Sequence, residues 1–234
     1  MYYLGLIPAR GDSKGIADKN IAPLSGKPLL AYSAEAALGS KRLDRTILNT
    51  DDEHIAQVGR DCGIDVPFLR PPELAQDDTP MIDVMRHVIT TLTEEGTKPD
   101  VIVLLQPTSP LRTSQQIDEA IATFEQSEAE TLVSVIDVPH QFEPKSLMTL
   151  EDDHLLPVMD PVLRRQDKRQ VYARNGPAIL IVNTDFLLQE GKFYGQHCVP
   201  YVMDGITSVD IDHASDLAYA EWLLQHSKGS QLHS

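Results

Sequence analysis

Short runs of apolar or β-branched residues alternate with longer stretches of helical periodicity along most of this 234-residue chain. The short runs predict strands at 3–7, 45–49, 66–69, 101–106, 131–138, 178–183 and 199–203, and the longer stretches predict helices at 28–37, 52–62, 81–92, 113–126 and 213–225. This alternation is typical of an α/β fold, in which helices cover both faces of a mostly parallel sheet. Ligands bind such sheets beyond the carboxyl ends of the strands, so we expect the loops after Ile7, Asn49 and Gln106 to meet at one mouth.

The charge balance disfavours two classes of partner. The chain has 20 Lys and Arg against 35 Asp and Glu, a net charge of −15. Such a surface repels nucleic-acid phosphates and anionic lipids, and the apolar runs are far shorter than the roughly 20 residues that cross a bilayer. The N-terminus has no basic segment typical of a signal peptide, and Cys62 and Cys198 lie far apart without metal-ligand spacing. We expect a cytoplasmic protein with reduced cysteines that binds neither nucleic acid nor membrane.

Residues 139–175, called the arm below, break the alternation of strands and helices. Prolines at 139, 144, 157 and 161 interrupt the segment, and an acidic run at 151–153 precedes a basic cluster at Arg164, Arg165, Lys168, Arg169 and Arg174. The arm is too short to fold as an independent domain. We therefore predict one domain over 1–234, from which the arm extends to pack on another surface, with a second subunit as one candidate.

The loop after the first predicted strand could hold an anionic ligand. Between Pro8 and Asn20 it carries two glycines and the cations Arg10, Lys14 and Lys19. Glycines let backbone N–H groups approach phosphate oxygens, while arginine and lysine supply charge. The spacing matches neither a P-loop nor a dinucleotide fingerprint, so phosphate binding and a solvated surface loop both remain open from the residues alone.

Six motifs in order make the chain recognisable. They are Ile7-Pro8-Ala9-Arg10-x-x-Ser13-Lys14-Gly15-Ile16-x-x-Lys19-Asn20, followed by the segments 25–29 (SGKPL), 49–52 (NTDD), 69–75 (LRPPELA), 105–112 (LQPTSPLR) and 210–212 (DID). Together they resemble the N-acylneuraminate cytidylyltransferase family, the CMP-sialic acid synthetases. The resemblance implies a Rossmann-like nucleotidyltransferase fold with a small dimerisation excursion, and a magnesium-dependent homodimer. It also implies transfer of CMP from CTP to the anomeric hydroxyl of a nine-carbon 2-keto sugar acid, with release of pyrophosphate.

The resemblance implies which residues bind the nucleotide. The family's signature loop grips CTP, which assigns the nucleotide to Ala9, Arg10, Lys14, Lys19 and Asn20. Arg70 joins them because it matches the family's Arg-Pro-x-Glu-Leu segment, which lies against the nucleotide; a surface arginine is the alternative for this position. Phosphoryl transfer needs mainly in-line positioning and charge neutralisation from the protein. Arg10, Lys14 and Lys19 are therefore catalytic candidates together with Asp212, which is a candidate to orient or deprotonate the anomeric hydroxyl.

Asp210 and Asp212 form the candidate metal site. They alternate along an expected strand end, so both side chains point to one face with Cα atoms roughly 6.5 Å apart. Two carboxylates suit Mg²⁺, which takes its other ligands from phosphates and water. From the residues alone, a pair of capping carboxylates before the last helix is the favoured interpretation. The resemblance favours magnesium.

The sugar-binding candidates follow the strand that ends near Gln106 and lie in the arm. They are Gln106, Thr108, Ser109, Arg164, Arg165 and Asn175. Arginine suits the carboxylate of a sugar acid because its guanidinium makes paired charge-assisted hydrogen bonds. The family's excursion implies that one such arginine reaches across to the partner subunit's site.

The exact sugar stays open between neuraminic, legionaminic and pseudaminic types. Met81, Pro177 and Leu180 stand where the family has other residues, and a few pocket contacts can discriminate such sugars. Two other functions remain alternatives: a cytidylyltransferase for the eight-carbon 3-deoxy-octulosonate, whose opening loop typically differs, and a noncatalytic nucleotide-sugar sensor. The presence of Arg10, Lys19 and both aspartates disfavours the sensor.

Overall fold

The computed structural model describes residues 1–11, 15–160, 164, 169–176 and 178–227. Its strands are β1 Tyr3–Pro8, β2 Pro23–Leu24, β3 Lys27–Pro28, β4 Arg45–Asn49, β5 Val101–Leu104, β6 Thr131–Asp137, β7 Met148–Glu151, β8 His154–Pro157, β9 Tyr172–Arg174, β10 Leu180–Asn183 and β11 Cys198–Val202. Its α-helices are α1 Leu29–Leu38, α2 Glu53–Asp61, α3 Met81–Glu94, α4 Ser114–Ser127, α5 Thr184–Glu190 and α6 Ala214–Ser227.

The central sheet has the order β11-β6-β10-β5-β1-β4, and β9 also pairs with β6. The pairs β1–β4, β1–β5 and β6–β11 are parallel, whereas β10 runs antiparallel between β5 and β6. The other strands on this path therefore share one direction. The predicted α/β class with a mostly parallel sheet is confirmed, and β10 departs from the parallel pattern because its chain returns from the arm.

Helices cover both faces of the sheet, as predicted. On one face α1, α2 and α4 bury residues such as Leu30, Ile55 and Phe124 against the strands. On the other face α3 and α5 contribute Met85 and Leu187 to a second apolar cluster. The last helix α6 packs on the small β2–β3 hairpin instead. Among the described residues, every helix is too short or too polar to span a bilayer.

Two predictions about secondary structure need correction. The strand predicted at 66–69 is wrong: Pro67 has no N–H to donate, and β4 gains only an isolated bridge between Ile47 and Asp65 there. The segment holding Asp210 and Asp212 is an irregular loop before α6, not a strand end. Helix α5 and the β7–β8 hairpin of the arm were not predicted.

Candidate active site

A cavity of about 570 Å³ opens at the carboxyl ends of β1 and β5. It is lined by Pro8, Arg10, Gly15, Lys19, Asn20, Arg70, Met81, Gln106, Pro107, Thr108, Asp212 and His213. The loops after β1 and β5 therefore meet there as expected, whereas the loop after Asn49 contributes no residue to this lining. A second cavity, of about 700 Å³, lies at the opposite edge of the sheet beside Glu130 and Tyr194, and its lining contains no residue of the predicted site.

The β1 loop brings Arg10 and Asn20 to the cavity. The Asn20 Nδ2 donates to the Arg10 carbonyl oxygen at 2.9 Å, which fixes the backbone beneath the arginine. The Arg10 guanidinium is 2.6 Å from the Asp77 carboxylate. Ala9 lies buried behind the cavity wall, where its N–H donates to the Asn49 carbonyl. Of the predicted nucleotide residues in this loop, Lys14 lies outside the described residues.

Lys19 connects the β1 loop to the segment that carries the aspartates. Its Nζ donates to the Ile211 carbonyl oxygen at 2.9 Å and to Asp212 Oδ1 at 3.3 Å. The side chain is only 17% exposed, so its charge acts in a partly dry environment. This contact joins a predicted triphosphate ligand to a predicted metal ligand within one chain.

Arg70 is a buried cation in the cavity wall. It is 4% exposed, and its guanidinium donates to Asn49 Oδ1 at 2.7 Å and to the Asn49 carbonyl at 2.8 Å. Burial lowers the pKa of Arg70 to about 10, with a smaller opposing contribution from Asp51. Arg70 therefore stays protonated at neutral pH and holds a positive charge against the cavity. Arg70 is therefore not a solvated surface arginine.

The β5 loop places two of its three predicted residues in the cavity. Gln106 and Thr108 line it, and the Thr108 hydroxyl lies 3.4 Å from Gln106 Oε1. Ser109 is fully buried beneath them, and within the described chain its Oγ has no hydrogen-bond partner. The structure therefore places Gln106 and Thr108, but not Ser109, within reach of a ligand in the cavity.

The two aspartates occupy different environments. Asp212 is exposed, lines the cavity and pairs with Lys19, whereas Asp210 is more buried. Burial raises the pKa of Asp210, the neighbouring Asp212 raises it further, and a hydrogen bond with Thr108 opposes both effects. Ile211 between them is fully buried, and its N–H donates to the Thr108 carbonyl at 2.8 Å. This hydrogen bond fixes the middle of the loop, with Asp210 before it and Asp212 after it in the sequence.

The residues at this loop fit a magnesium ion that shares its ligands with a substrate. The Asp210 Oδ1 is buried and accepts no hydrogen bond from the described residues, so it retains its lone pairs for a cation. Within the same residues, no three His, Cys, Asp or Glu side chains cluster to hold a metal by themselves. Magnesium does not need such a cage, because it keeps several waters and takes phosphate oxygens as ligands.

The arm residues predicted to bind the sugar are not in the cavity lining. Arg164 is solvent-exposed, and Arg165 lies outside the described residues. Asn175 is buried with its carboxamide turned into the protein: Oδ1 lies 2.6 Å from Ser134 Oγ and 3.3 Å from the Ala178 nitrogen, and Nδ2 lies 2.8 Å from Ser208 Oγ. Its Nδ2 also points to the Met203 sulfur. These contacts use its full hydrogen-bonding capacity, so in this structure Asn175 offers nothing to a sugar.

Sequence reasoning did not assign a role to Asp77 or His213. Asp77 pairs with Arg10 across 67 positions of the sequence, and no local motif signals such a contact. His213 enters the cavity lining only because α6 begins at the next residue. The only feature of the sequence that could have pointed to His213 is its position directly after Asp212.

The whole chain can be compared with known proteins. Residues 4–232 match a family model described as Cytidylyltransferase. The chain belongs to this cytidylyltransferase family. The match spans the predicted motifs in order and confirms the resemblance found in the sequence.

Curated relatives of this cytidylyltransferase carry related names. It is 34% identical over 220 residues to the N-acylneuraminate cytidylyltransferase of Escherichia coli, covering 93% of this chain and 51% of that protein. It is 30% identical over 231 residues to the CMP-N,N'-diacetyllegionaminic acid synthase of Legionella pneumophila, covering 96% and 97% of the two chains. The pseudaminic acid cytidylyltransferase of Campylobacter jejuni is 30% identical over 226 residues, with 95% and 96% covered. The chain spans about half the length of the N-acylneuraminate relatives that it matches.

Solved structures agree on the fold of the cytidylyltransferase. A CMP:2-keto-3-deoxy-manno-octonic acid synthetase complexed with CTP superposes with a TM-score of 0.72 at 13% identity, covering 97% of this chain and 100% of that one. A 4-diphosphocytidyl-2C-methyl-D-erythritol synthase from Anaerococcus prevotii gives 0.61 at 11% identity, covering 96% of both. At these identities the likeness concerns the architecture alone.

Proposed function

We propose that this cytidylyltransferase transfers CMP from CTP to the anomeric hydroxyl of a nine-carbon, sialic-acid-like 2-keto sugar acid and releases pyrophosphate. The observation that carries the proposal is the single cavity lined by Arg10, Lys19, Arg70, Gln106 and Asp212. Cations for a triphosphate, one carboxylate for a metal and polar groups for a sugar meet there, and Asp210 lies two residues from that carboxylate. The names of the relatives at 30–34% identity support this substrate class.

Arg10 and Lys19 bind the triphosphate in this proposal, together with Lys14 and with Ala9 and Asn20 shaping the loop. Each described cation already faces a carboxylate, Asp77 or Asp212, before any nucleotide is bound. Such pairing holds long side chains near their working positions, so less conformational entropy is lost on binding. Arg70 adds a fixed positive charge on the nucleotide side of the wall.

Asp210 and Asp212 hold Mg²⁺ in this proposal. When bound, the metal supplies positive charge that offsets charge building up on the phosphoryl and pyrophosphate oxygens. Lys19 holds Asp212 Oδ1 at 3.3 Å and thereby orients this carboxylate. Asp212, the more exposed of the two, can also accept the proton of the anomeric hydroxyl directly or through water.

The sugar acid lies against Gln106 and Thr108 in this proposal, and its carboxylate is met by an arginine of the arm from a second subunit. The arm exposes apolar side chains that a single chain does not cover: Leu150 is 69% and Leu155 is 65% exposed. Exposed leucines of this kind are typical of an interface. We therefore propose a homodimer in which Arg164 or Arg165 serves the partner's cavity.

The test is pyrophosphate release from CTP, ATP, GTP and UTP with magnesium, against a panel of neuraminic, legionaminic and pseudaminic acids and 3-deoxy-octulosonate. Release with CTP and one nine-carbon acid is the expected result. We also propose that the enzyme is cytoplasmic and serves cell-surface polysaccharide biosynthesis. Release only with 3-deoxy-octulosonate would move the protein to the eight-carbon branch. Binding of CTP without release across the panel would favour the noncatalytic sensor.

A further inference from the structure

A break in the sheet lies directly beside the aspartate loop. Strands β9 and β10 both pair antiparallel with β6, but the pairing stops between Arg174 and Leu180. Ser134 of β6 stands opposite this break. Its hydroxyl donates to Asn175 Oδ1 at 2.6 Å and accepts the Ile179 N–H at 2.8 Å. The Ser134 N–H also donates to the Ile179 carbonyl at 2.8 Å, so backbone and side chain of this serine together hold the break.

The same asparagine reaches from the break to the aspartate loop. Asn175 Nδ2 donates to Ser208 Oγ at 2.8 Å, and Ser208 lies two residues before Asp210. Ser134, Asn175 and Ser208 are 0%, 5% and 8% exposed. Hydrogen bonds in such a dry, mutually satisfied network are costly to break singly, because a buried group would lose its partner. The three residues, called the Ser-Asn-Ser network below, therefore couple β6, the break and the aspartate loop.

The residue after Asn175 lies directly beside the Asp210 carboxylate. Gly176 has a φ of +108°, which favours glycine, and a Cβ built there would lie 3.1 Å from Asp210 Oδ2. The backbone of the break thus forms one wall against the Asp210 carboxylate. The buried Asp210 Oδ1 accepts no hydrogen bond from the described residues.

We infer that the Ser-Asn-Ser network, with Gly176, positions Asp210 for its metal. Asn175 is then a positioning residue and does not contact the sugar, although it stands where the sequence predicted a sugar contact. The inference rests on the proposed function for the identity of the metal, but the positioning itself belongs to the folded chain without any ligand. Groups behind metal ligands commonly tune affinity in this way.

Two measurements on Asn175→Ala and Ser208→Ala test the inference. Hydrogen exchange of peptides spanning 204–213 reports how firmly the aspartate loop is held. Titration with Mn²⁺, followed by its electron paramagnetic resonance signal in the presence of a nonhydrolysable CTP analogue, reports metal affinity. We expect faster exchange in this peptide and roughly tenfold weaker Mn²⁺ binding in both variants.

Asn183→Ala is the matched control. Asn183 caps α5, where its Oδ1 accepts the Phe186 N–H at 3.1 Å, so the substitution removes an asparagine hydrogen bond at the end of β10 that lies away from the break. It should lower the melting temperature without changing exchange at 204–213 or Mn²⁺ affinity. If Asn175→Ala fails to fold, the smaller Ser208→Ala change carries the test alone.

The outcomes distinguish failure of the positioning role from failure of the proposed function. Folded Asn175→Ala and Ser208→Ala proteins with the exchange and Mn²⁺ affinity of the wild type would overturn the positioning role. Faster exchange with unchanged Mn²⁺ affinity would overturn the link to the metal. Wild-type protein that binds neither the CTP analogue nor Mn²⁺ would overturn the proposed function and the metal part of the inference, while exchange still tests the positioning.

Discussion

The cavity rim and the arm differ in how their side chains find partners. The rim consists of the residues that line the cavity at the ends of β1 and β5. There Arg10 contacts Asp77, Lys19 contacts Asp212 and Arg70 contacts Asn49, all within the same chain. In the arm, Leu150 and Leu155 face each other across the β7–β8 hairpin and remain more than 60% exposed. The rim is therefore organised by one chain, whereas the arm has an apolar surface that its own chain leaves open.

This contrast suggests that one chain builds one half of the proposed site and that two chains build the other half. Burying a leucine stabilises by about 1.5–3 kcal/mol, so several exposed ones favour association. The nucleotide and metal half of the site then needs only one chain, and the sugar half needs two. The predictions below test this division, beginning with the largest expected effect.

Asp210→Asn and Asp212→Asn should each lower turnover by roughly 100-fold or more, because each removes a charge that helps hold the metal near the phosphates. Pyrophosphate release measures the loss, and thermal melting should show that both variants remain folded. Asp185→Asn, which removes an exposed carboxylate paired with Lys98, is the control. Near-normal turnover in both site variants would contradict the metal assignment.

Replacement of Leu150 and Leu155 together by serine should give a monomer that still binds CTP. The apolar pair no longer drives association, while every rim contact remains in the single chain. Sedimentation velocity measures the oligomeric state, and we expect roughly tenfold or greater loss of turnover from the missing partner. A double variant that stays dimeric, or a fully active monomer, would place the interface or the sugar site elsewhere.

Arg164→Ala should raise KM for the sugar acid roughly tenfold or more, with KM for CTP unchanged, because a charge-assisted hydrogen bond is lost. Mixing it with the inactive Asp212→Asn protein sharpens the test. If the arginine crosses subunits, mixed dimers contain one intact site and about a quarter of wild-type activity returns. No recovery would mean that Arg164 acts within its own chain or not at all.

Asp77→Asn should lower KM for CTP by about two- to fivefold, because Arg10 no longer leaves a partly exposed ion pair to reach the phosphates. Initial rates at varied CTP measure the change. Arg60→Gln, which breaks another exposed pair with Glu53, provides the comparison. A raised KM would instead mean that Asp77 holds Arg10 in its binding position.

The smallest effect concerns pH and a partly buried histidine near the rim. Burial lowers the pKa of His87, whose Nε2 is buried and unpartnered among the described residues; Glu73 opposes this shift and Arg70 adds to it. The unfolded chain binds this proton more tightly than the folded chain does. The free energy of unfolding should therefore not depend on His87 above pH about 6.5, and it should fall as the pH drops below that value. Melting temperatures measured against pH at two protein concentrations test this, with His87→Phe expected to flatten the acid decline.

The sequence predicted the layered sheet and most of the rim. Alternating apolar runs placed β1, β4 and β5, and the loops after β1 and β5 meet as the rule for parallel sheets requires. The strand predicted at 66–69 does not form because Pro67 has no N–H for strand pairing. The apolar pattern of the neighbouring residues favours a strand and does not reveal this missing donor. The antiparallel direction of β10 was equally invisible, because a buried strand has the same apolar pattern in both directions.

The site was less predictable where a side chain's partner comes from far along the chain. Motif spacing identified Asn175, but its contacts with Ser134 and Ser208 depend on a break in strand pairing that no local pattern encodes. The pairing of Arg10 with Asp77 is similarly remote. The motifs and their resemblance to the family therefore predicted candidate residues, and the fold determines which way these side chains face.

The position of β10 between β5 and β6 also sets an order of assembly. Every strand partner of β6 comes later in the sequence, so β6 stays unpaired until the ribosome has released the chain beyond the arm. Pairing over such separations is slow, and meanwhile the apolar hairpin and two open sheet edges are exposed together. In the proposed homodimer, the leucines of the arm would then be available to a second chain before the central sheet is complete.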